Sequence, residues 1–300
     1  MSATVREGQT YGGASRLVRY VNFVKLPHTV FALPFALVGV TLASWIYPVT
    51  AAMVLWVVIA FTAARFAAMG FNRIADRRYD ALNPRTAMRE IPSGAMSVPE
   101  AAASVFVASL VFIFAAWRIN PLCLALSPVA LAWVLFYSYT KRFTRWSHLV
   151  LGLGLGIAPA GGYLAVTGAW SDPWWLLPAL AIAVMSWVGG FDILYSLPDA
   201  EFDRSQGLYS VPATMGTRKA LRVARALHAL TIVALSAAGV ASGSSVLYFA
   251  GVVVAAGILG WEHSLVSSDD LSKLDAAFFS VNGVLSVTFF LFVLAERVFL

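Results

Sequence analysis

The chain is poor in the residues that usually build redox, disulfide and soft-metal sites. Of its 300 residues one is cysteine, Cys123, which excludes an intramolecular disulfide framework and any multi-cysteine metal or iron–sulfur centre. Its four histidines, His28, His148, His228 and His263, are scattered, with no HxxxH or HExxH pair. A metal ion would therefore need oxygen ligands. Charge is scarce as well: Asp, Glu, Lys and Arg make up 12% of the chain, against roughly 25% in soluble domains. That composition excludes disorder, which requires high charge and low hydrophobicity. The first 25 or so residues lack a short apolar region followed by a cleavage pattern, so a cleaved signal peptide is not expected.

What is abundant is apolar. Hydrophobic residues reach 60%, and mean hydropathy is +0.77. A soluble globule of this length has too little interior to hide so much apolar surface, so most of the chain's solvent is lipid. A transmembrane helix needs about 20 mostly apolar residues. Nine segments qualify: 28–47, 50–71, 98–117, 121–139, 147–168, 173–197, 223–242, 244–262 and 277–298. The expected fold is an all-α polytopic membrane protein, with a polar segment over residues 1–27 and a single transmembrane domain over 28–300.

The net charge of +6 has a spatial order. With nine spans, all 21 Lys and Arg except Arg65, Arg118 and Arg297 fall on the side of the amino terminus. The positive-inside rule places that side in the cytoplasm and the carboxyl terminus outside. The basic balance is thus accounted for without nucleic acid. The connectors on that side, 72–97 and 198–222, are long, and long connectors in compact proteins are usually functional or disordered.

Both connectors carry acidic rows. Asn72, Asp76 and Asp80 stand at i, i+4 and i+8, a spacing that stacks side chains on one helix face roughly 5–6 Å apart. Asp199 and Asp203 repeat the step, with Asp192 two turns earlier and Pro198 marking a kink or a fresh helix start. Stacked carboxylates repel unless a cation lies between them. Mg²⁺ prefers hard oxygen ligands and is commonly held by carboxylates together with substrate phosphates. Two facing rows therefore suit a Mg²⁺–diphosphate complex. The bland alternative is a set of solvated charges paired with Arg73, Arg77, Arg78 and Arg204.

Basic residues stand close by. Arg85 and Arg89 follow the first row, and Tyr139, Lys141 and Arg142 end the fourth span. Lys or Arg can clamp a diphosphate, Arg with bidentate geometry. Anchoring in an anionic leaflet is the competing role for Lys141 and Arg142. Arg65, two turns before Asn72 and costly in hydrocarbon, is expected to face a cavity, where it could bind an acceptor carboxylate. The glycine-rich run from Gly152 to Gly162 lacks a Walker lysine, and its small residues suit close helix packing. Room for a substrate tail there stays open.

These residues carry a resemblance. Asn72-xxx-Asp76-xxx-Asp80 with Arg85-Thr86-xx-Arg89 and Ser93-Gly94 resembles the first signature of the UbiA superfamily of intramembrane prenyltransferases. Asp192-xx-Tyr195-xxx-Asp199-xxx-Asp203 is similar to the second. Lys25-Leu26-Pro27-His28 and Tyr137-xx-Thr140-Lys141-Arg142 resemble the family's entry to span one and its end of span four. The resemblance implies a UbiA-like bundle with a cytoplasmic cap over a central cavity. It further implies two Mg²⁺ ions on Asn72, Asp76, Asp80, Asp199 and Asp203, holding a polyprenyl diphosphate. Asp76, Asp192 and Asp199 would be catalytic, Asp192 orienting or deprotonating the acceptor. Asn72, Arg65, Arg85, Arg89, Tyr139, Lys141, Arg142 and Tyr195 would bind substrate.

The expected reaction is Mg²⁺-dependent transfer of a polyprenyl group to an aromatic ring carbon, with 4-hydroxybenzoate as acceptor in quinone biosynthesis. Leu197-Pro198-Asp199-Ala200-Glu201-Phe202-Asp203-Arg204 resembles a bacterial subgroup that also holds candidates for prenylating a dihydroxynaphthoate on a menaquinone route, so that acceptor is the alternative. The expected location is a bacterial inner membrane. Of a different class, a cation-coupled transporter would place ionisable residues near mid-membrane, often at broken helices. Here the acids gather at one face.

Overall fold

The computed structural model describes residues 15–25, 29–267, 271, 274 and 281–300. Among them every regular element is helical. A short helix α1 (Arg16–Phe23) precedes α2 (Thr29–Ala43), α3 (Ala51–Ala75), α4 (Arg77–Leu82), α5 (Val98–Ile119), α6 (Pro121–Phe136) and α7 (Ser147–Thr167). The second half continues with α8 (Leu176–Tyr195), α9 (Ala200–Ser205), α10 (Val211–Met215), α11 (Thr217–Ala241), α12 (Val246–Leu265) and α13 (Asn282–Phe299).

Eight of these helices are long and apolar enough to cross a bilayer, and α2 is a shorter apolar helix. The nine expected spans therefore correspond to nine helices, with ends displaced by a few residues. The largest shift is at α11, which begins at Thr217 and takes Arg218, Lys219 and Arg222 into its first turns. Leu26, Pro27 and His28 of the expected entry motif, and the start of the ninth expected span, lie outside the described residues.

Local chemistry explains the helix ends. The Oγ of Ser97 accepts from the Glu100 amide to open α5, with Pro99 in the first turn, where a missing N–H costs nothing. Asn120 serves two helices: its Oδ1 accepts from the Cys123 amide to cap α6, and its Nδ2 donates to the Leu164 and Ala165 carbonyls near the end of α7. Gly168, at φ 62°, then stops α7 in a left-handed conformation that other residues rarely adopt.

Burial is uneven. The central stretch of α8 is 72% buried, whereas that of α3 is 17% buried, so α8 is a core helix, while α3 is mostly half-buried and lines the apolar cavity. The core joins Phe35, Trp187 and Phe289, with ring centroids 5.0 Å (Phe35–Trp187) and 5.8 Å (Phe35–Phe289) apart. Glycine allows the backbones to approach. A Cβ at Gly152 would collide with the Met185 carbonyl of α8, and one at Gly162 with the Ala36 carbonyl of α2. A Cβ at Gly161 would meet nothing within 4 Å, and Gly161 lines a large apolar cavity. The glycine run thus has both properties: some positions weld helices together and others leave space.

The histidines scattered in sequence are not isolated in space. His228 Nδ1 lies 3.0 Å from His263 Nε2 and 3.5 Å from Glu262 Oε2. Asn282 donates to Glu262 and accepts from the Trp187 indole, so hydrogen bonds link buried polar groups of α8, α12 and α13.

Candidate functional site

The two acidic rows meet at one end of the bundle. The first is helical across a break: α3 ends at Ala75, α4 begins at Arg77, and the Asp76 and Asp80 amides still donate to the carbonyls of Asn72 and Asp76. The predicted i, i+4 stacking appears as a hydrogen bond of 2.8 Å from Asn72 Nδ2 to Asp76 Oδ2. The second row breaks where Pro198 suggests. Asp192 sits in the last turn of α8, Asp199 ends a 3₁₀ turn at Leu197–Asp199, and Asp203 lies on α9.

A polar cavity of about 150 Å³ lies between the rows. Its walls include Asn72, Asp76, Asp80, Asp192, Asp199 and Asp203, together with Arg85, Arg89, Lys141 and Tyr195. Most of the candidate residues are therefore brought together. Three are not on this wall. Arg65 lines a separate apolar cavity of about 500 Å³. Tyr139 is exposed and packs edge-on against Phe71, and Arg142 stacks 4.8 Å from the Tyr139 ring while donating to the Ala75 carbonyl. Arg142 closes the exposed carbonyl end of α3, a favourable place for a cation.

Each carboxylate row is answered by bases from another element. Arg85 pairs with both carboxylate oxygens of Asp199, Nε to Oδ1 at 3.0 Å and Nη2 to Oδ2. Arg89 Nη1 donates to Asp80 Oδ1 at 2.7 Å, and Lys141 Nζ lies 3.7 Å from Asp203 Oδ2. Arg142 reaches Asp76 at 3.5 Å. The arginines adjacent in sequence point elsewhere: Arg73, Arg77 and Arg204 donate to the carbonyls of Phe23, Ile74 and Ala213. Asp76, Asp199 and Asp203 thus each meet a cation from a distant part of the chain.

Burial and the nearby charge of Asp80 push the Asp76 carboxyl up to about 6, against the pull of Lys141 and Arg142. A group in that position binds a cation in competition with protons. Two further carboxylate oxygens, Asp80 Oδ2 and Asp203 Oδ2, are buried without a hydrogen-bond partner. Both belong to residues of the cavity wall, and an all-oxygen donor set suits a hard cation such as Mg²⁺. Among the described residues no three His, Cys, Asp or Glu side chains are gathered tightly enough to enclose a metal by themselves. Four carboxylates are each paired with a basic side chain: Asp199 with Arg85, Asp80 with Arg89, Asp203 with Lys141 and Asp76 with Arg142.

The structure adds Asn83 and His148, which spacing did not single out, and shows what Tyr195 and Tyr137 touch. Asn83 Nδ2 donates to Asp199 Oδ1 at 3.0 Å, and its Oδ1 accepts from the Arg85 amide. The Asn83-Pro84 pair is a turn signal of the kind that folds an Asn side chain onto backbone two residues on. Tyr195 lies under the Arg85 guanidinium at 4.7 Å and holds it in place. His148, fully buried, pairs with Asp192 at 2.6 Å across 44 residues, and nothing local in the sequence announces it. Tyr137 lines both cavities and forms their shared boundary.

The apolar cavity is walled by residues of α2, α3, α5, α6, α7 and α8, including Phe61, Phe112 and Trp133, with Arg65 its one basic side chain. A polar, doubly acidic head with basic clamps beside a long greasy chamber fits an amphiphile with an anionic head and a hydrocarbon tail.

Comparison with known proteins agrees. A profile described as the UbiA prenyltransferase family matches residues 32–292. The 4-hydroxybenzoate octaprenyltransferase of Methylobacillus flagellatus is 31% identical over 262 residues, 87% of this chain and 86% of that one. Its namesake from Klebsiella pneumoniae is 29% identical, over 78% of this chain and 82% of its own. The apo structure of a UbiA homolog from Aeropyrum pernix superposes with a TM-score of 0.82 at 34% identity, covering 90% of this chain and 98% of that one. A UbiA homolog from Archaeoglobus fulgidus bound to GPP and Mg²⁺ shares the fold, with a TM-score of 0.70 at 18% identity over 93% of this chain and 99% of its own.

Proposed function

From the premise that this chain belongs to the UbiA prenyltransferase family, we propose that it transfers a polyprenyl group from its diphosphate to a ring carbon of 4-hydroxybenzoate, in quinone biosynthesis. The single observation that carries this reading is the meeting of both acidic rows and their basic partners on one cavity, with an apolar chamber sharing Tyr137 as its wall. Relatives named 4-hydroxybenzoate octaprenyltransferase support the acceptor.

Asn72, Asp76, Asp80, Asp199 and Asp203 would hold Mg²⁺, in our reading two ions. Bound there, the metal would neutralise diphosphate charge and make it a better leaving group. The protein's own groups do the rest. Arg85, Arg89 and Lys141 are positioned to donate to diphosphate oxygens as the allylic carbon–oxygen bond breaks and its electron pair passes to the leaving oxygen. The allylic cation left behind must be kept from water, and the aromatic lining of the chamber excludes it. An aromatic face can stabilise such a cation by up to about 2 kcal/mol when desolvated. The π electrons of the acceptor ring then form the new carbon–carbon bond. Asp192 takes the proton from that ring carbon, which restores aromaticity.

Arg65 lines the apolar chamber, and in this reading it would bind the acceptor carboxylate. The Lys- and Arg-rich end, with α1, α4, α9 and α10, would face the cytoplasm of a bacterial inner membrane. The placement of the acids at one end of the bundle favours this reaction over cation-coupled transport.

The deciding assay uses purified protein in bilayers with radiolabelled geranyl diphosphate and Mg²⁺. It offers 4-hydroxybenzoate beside dihydroxynaphthoates. Carbon-linked product from 4-hydroxybenzoate is expected, and Asp76→Ala or Asp199→Ala should abolish it while leaving membrane insertion intact. Product from a dihydroxynaphthoate alone would move the chain to the menaquinone branch. Full turnover in both Asp variants would overturn the metal-site reading.

A further inference from the structure

His148 plays no part in the reaction as drawn above, yet it touches one of its central groups. It is the second residue of α7 and is 0% exposed. Its Nδ1 lies 2.6 Å from Asp192 Oδ2, and its Nε2 lies 3.3 Å from the Val211 amide nitrogen. An amide N–H can only donate, so Nε2 must present its lone pair. The ring is then neutral and its single proton sits on Nδ1, where it is donated to Asp192. Asp192 is 19% exposed at its side chain and lines the polar cavity, whereas His148 is not part of the cavity wall.

We propose that His148 is a positioning residue for the prenyl-transfer reaction: it holds Asp192 Oδ2 inward, so that the remaining carboxylate oxygen is presented to the acceptor ring. This rests on the role given to Asp192 in the proposed function. The geometry also limits what His148 does. With Nε2 already engaged by Val211, the ring has no free site to take a second proton, so it does not relay protons away from Asp192. It orients a base and leaves that base to act.

The same ring ties the capping segment to the base. Val211 opens α10, whose Ser210 side chain caps the Ala213 amide, and the neighbouring Tyr209 amide donates to the Lys141 carbonyl at 2.6 Å. The segment leading into α10 is therefore hooked at Tyr209 and at Val211, the first behind the cationic Lys141 and the second behind the base Asp192. A fixed carboxylate matters because misplacement of a reacting group by about 1 Å can cost on the order of 100-fold in rate.

Two measurements test this on the full-length protein in bilayers. The first is nitrogen-15 NMR of histidine-labelled protein, with the His148 signals identified by their loss in His148→Asn. Neutral imidazole protonated at Nδ1 is expected. A ring protonated at Nε2, or an imidazolium, would overturn the arrangement.

The second is steady-state transfer by His148→Asn, His148→Gln and His148→Phe. The Asn amide nitrogen takes the place of Nδ1, the longer Gln amide corresponds to Nε2, and Phe keeps ring volume without a donor. Phe and Gln should lower kcat by about tenfold or more with KM for the prenyl diphosphate nearly unchanged, and Asn should recover most of the loss. Wild-type kcat in the Phe variant would overturn the proposal. So would a parallel change in diphosphate KM across all three variants, which indicates a collapsed cap. If the wild type transfers no prenyl group to any aromatic acceptor, the proposed reaction fails, while the nitrogen spectra still decide whether His148 holds Asp192.

Discussion

Arg85 grips both carboxylate oxygens of Asp199 across 114 residues of chain, and Tyr195 backs its guanidinium at 4.7 Å. Asn83, two residues before Arg85, adds a third donor to the same carboxylate. This pair, buried on both sides, joins the first acidic segment to the second across the wall of the polar cavity. Removing one partner of such a pair leaves an uncompensated buried charge, typically at a cost of about 3–5 kcal/mol. Arg85→Ala is therefore expected to lose transfer and to lower the thermal midpoint. Arg85→Lys keeps the charge but not the planar fork, so it should recover stability more fully than kcat. Thermal denaturation and transfer assays on the same preparations check both.

The Asp76 carboxyl, raised from 3.8 to about 6, ties metal binding to pH. Between about pH 4 and 6 the folded state keeps a proton that the unfolded chain releases, so the contribution of Asp76 to stability declines as pH rises through that window. Cation binding needs the ionised form. Apparent Mg²⁺ affinity should fall progressively below about pH 6, and the fall should be blunted in Asp76→Asn. Isothermal titration of Mg²⁺ with a prenyl diphosphate analogue present, at pH 5 to 8, measures this. A flat profile in the wild type would remove Asp76 from the ligand set.

Two glycines of α7 should behave oppositely. Gly152→Ala forces a Cβ against the Met185 carbonyl and should destabilise the bundle. Gly161→Phe points into open cavity space and should leave folding intact while discriminating against long donors. Competition between geranyl and longer polyprenyl diphosphates reads the second effect.

Arg65 in the apolar chamber predicts an acceptor-specific defect. Arg65→Gln should raise KM for a carboxylated acceptor by about tenfold or more, the expected loss of a hydrogen bond to a charged group. KM for the prenyl diphosphate should stay near its wild-type value. A phenolic acceptor without a carboxylate should show little difference between the two proteins.

Much of this architecture is legible along the chain because its physics is local. Nine apolar stretches become nine helices, since in lipid each helix must satisfy its own backbone hydrogen bonds. The i, i+4 spacing of Asn72 and Asp76 becomes a real side-chain contact because the helix period brings them together, and Pro198 falls in the 3₁₀ turn that follows the end of α8 at Tyr195. Tyr139 and Arg142 show the limit. They share a motif with Lys141, but the 3₁₀ turn at Tyr137–Arg142 turns Lys141 and Tyr137 onto the cavity and leaves Tyr139 and Arg142 packed beside α3. The change from α to 3₁₀ periodicity alters which residues share a face, and composition does not signal it.

The abundance of apolar residues and the scarcity of charge placed this protein in lipid, the scarcity of cysteine pointed to oxygen ligands for a metal, and i, i+4 spacing put two acidic rows at helix ends. Only the tertiary structure decided which base meets which acid. Arg85 with Asp199, His148 with Asp192 and Lys141 with Asp203 are pairs between elements 44 to 114 residues apart. Such partners are chosen by how helices pack, and helix packing depends on the summed shape of many side chains and close glycine contacts. No short stretch of sequence contains that sum.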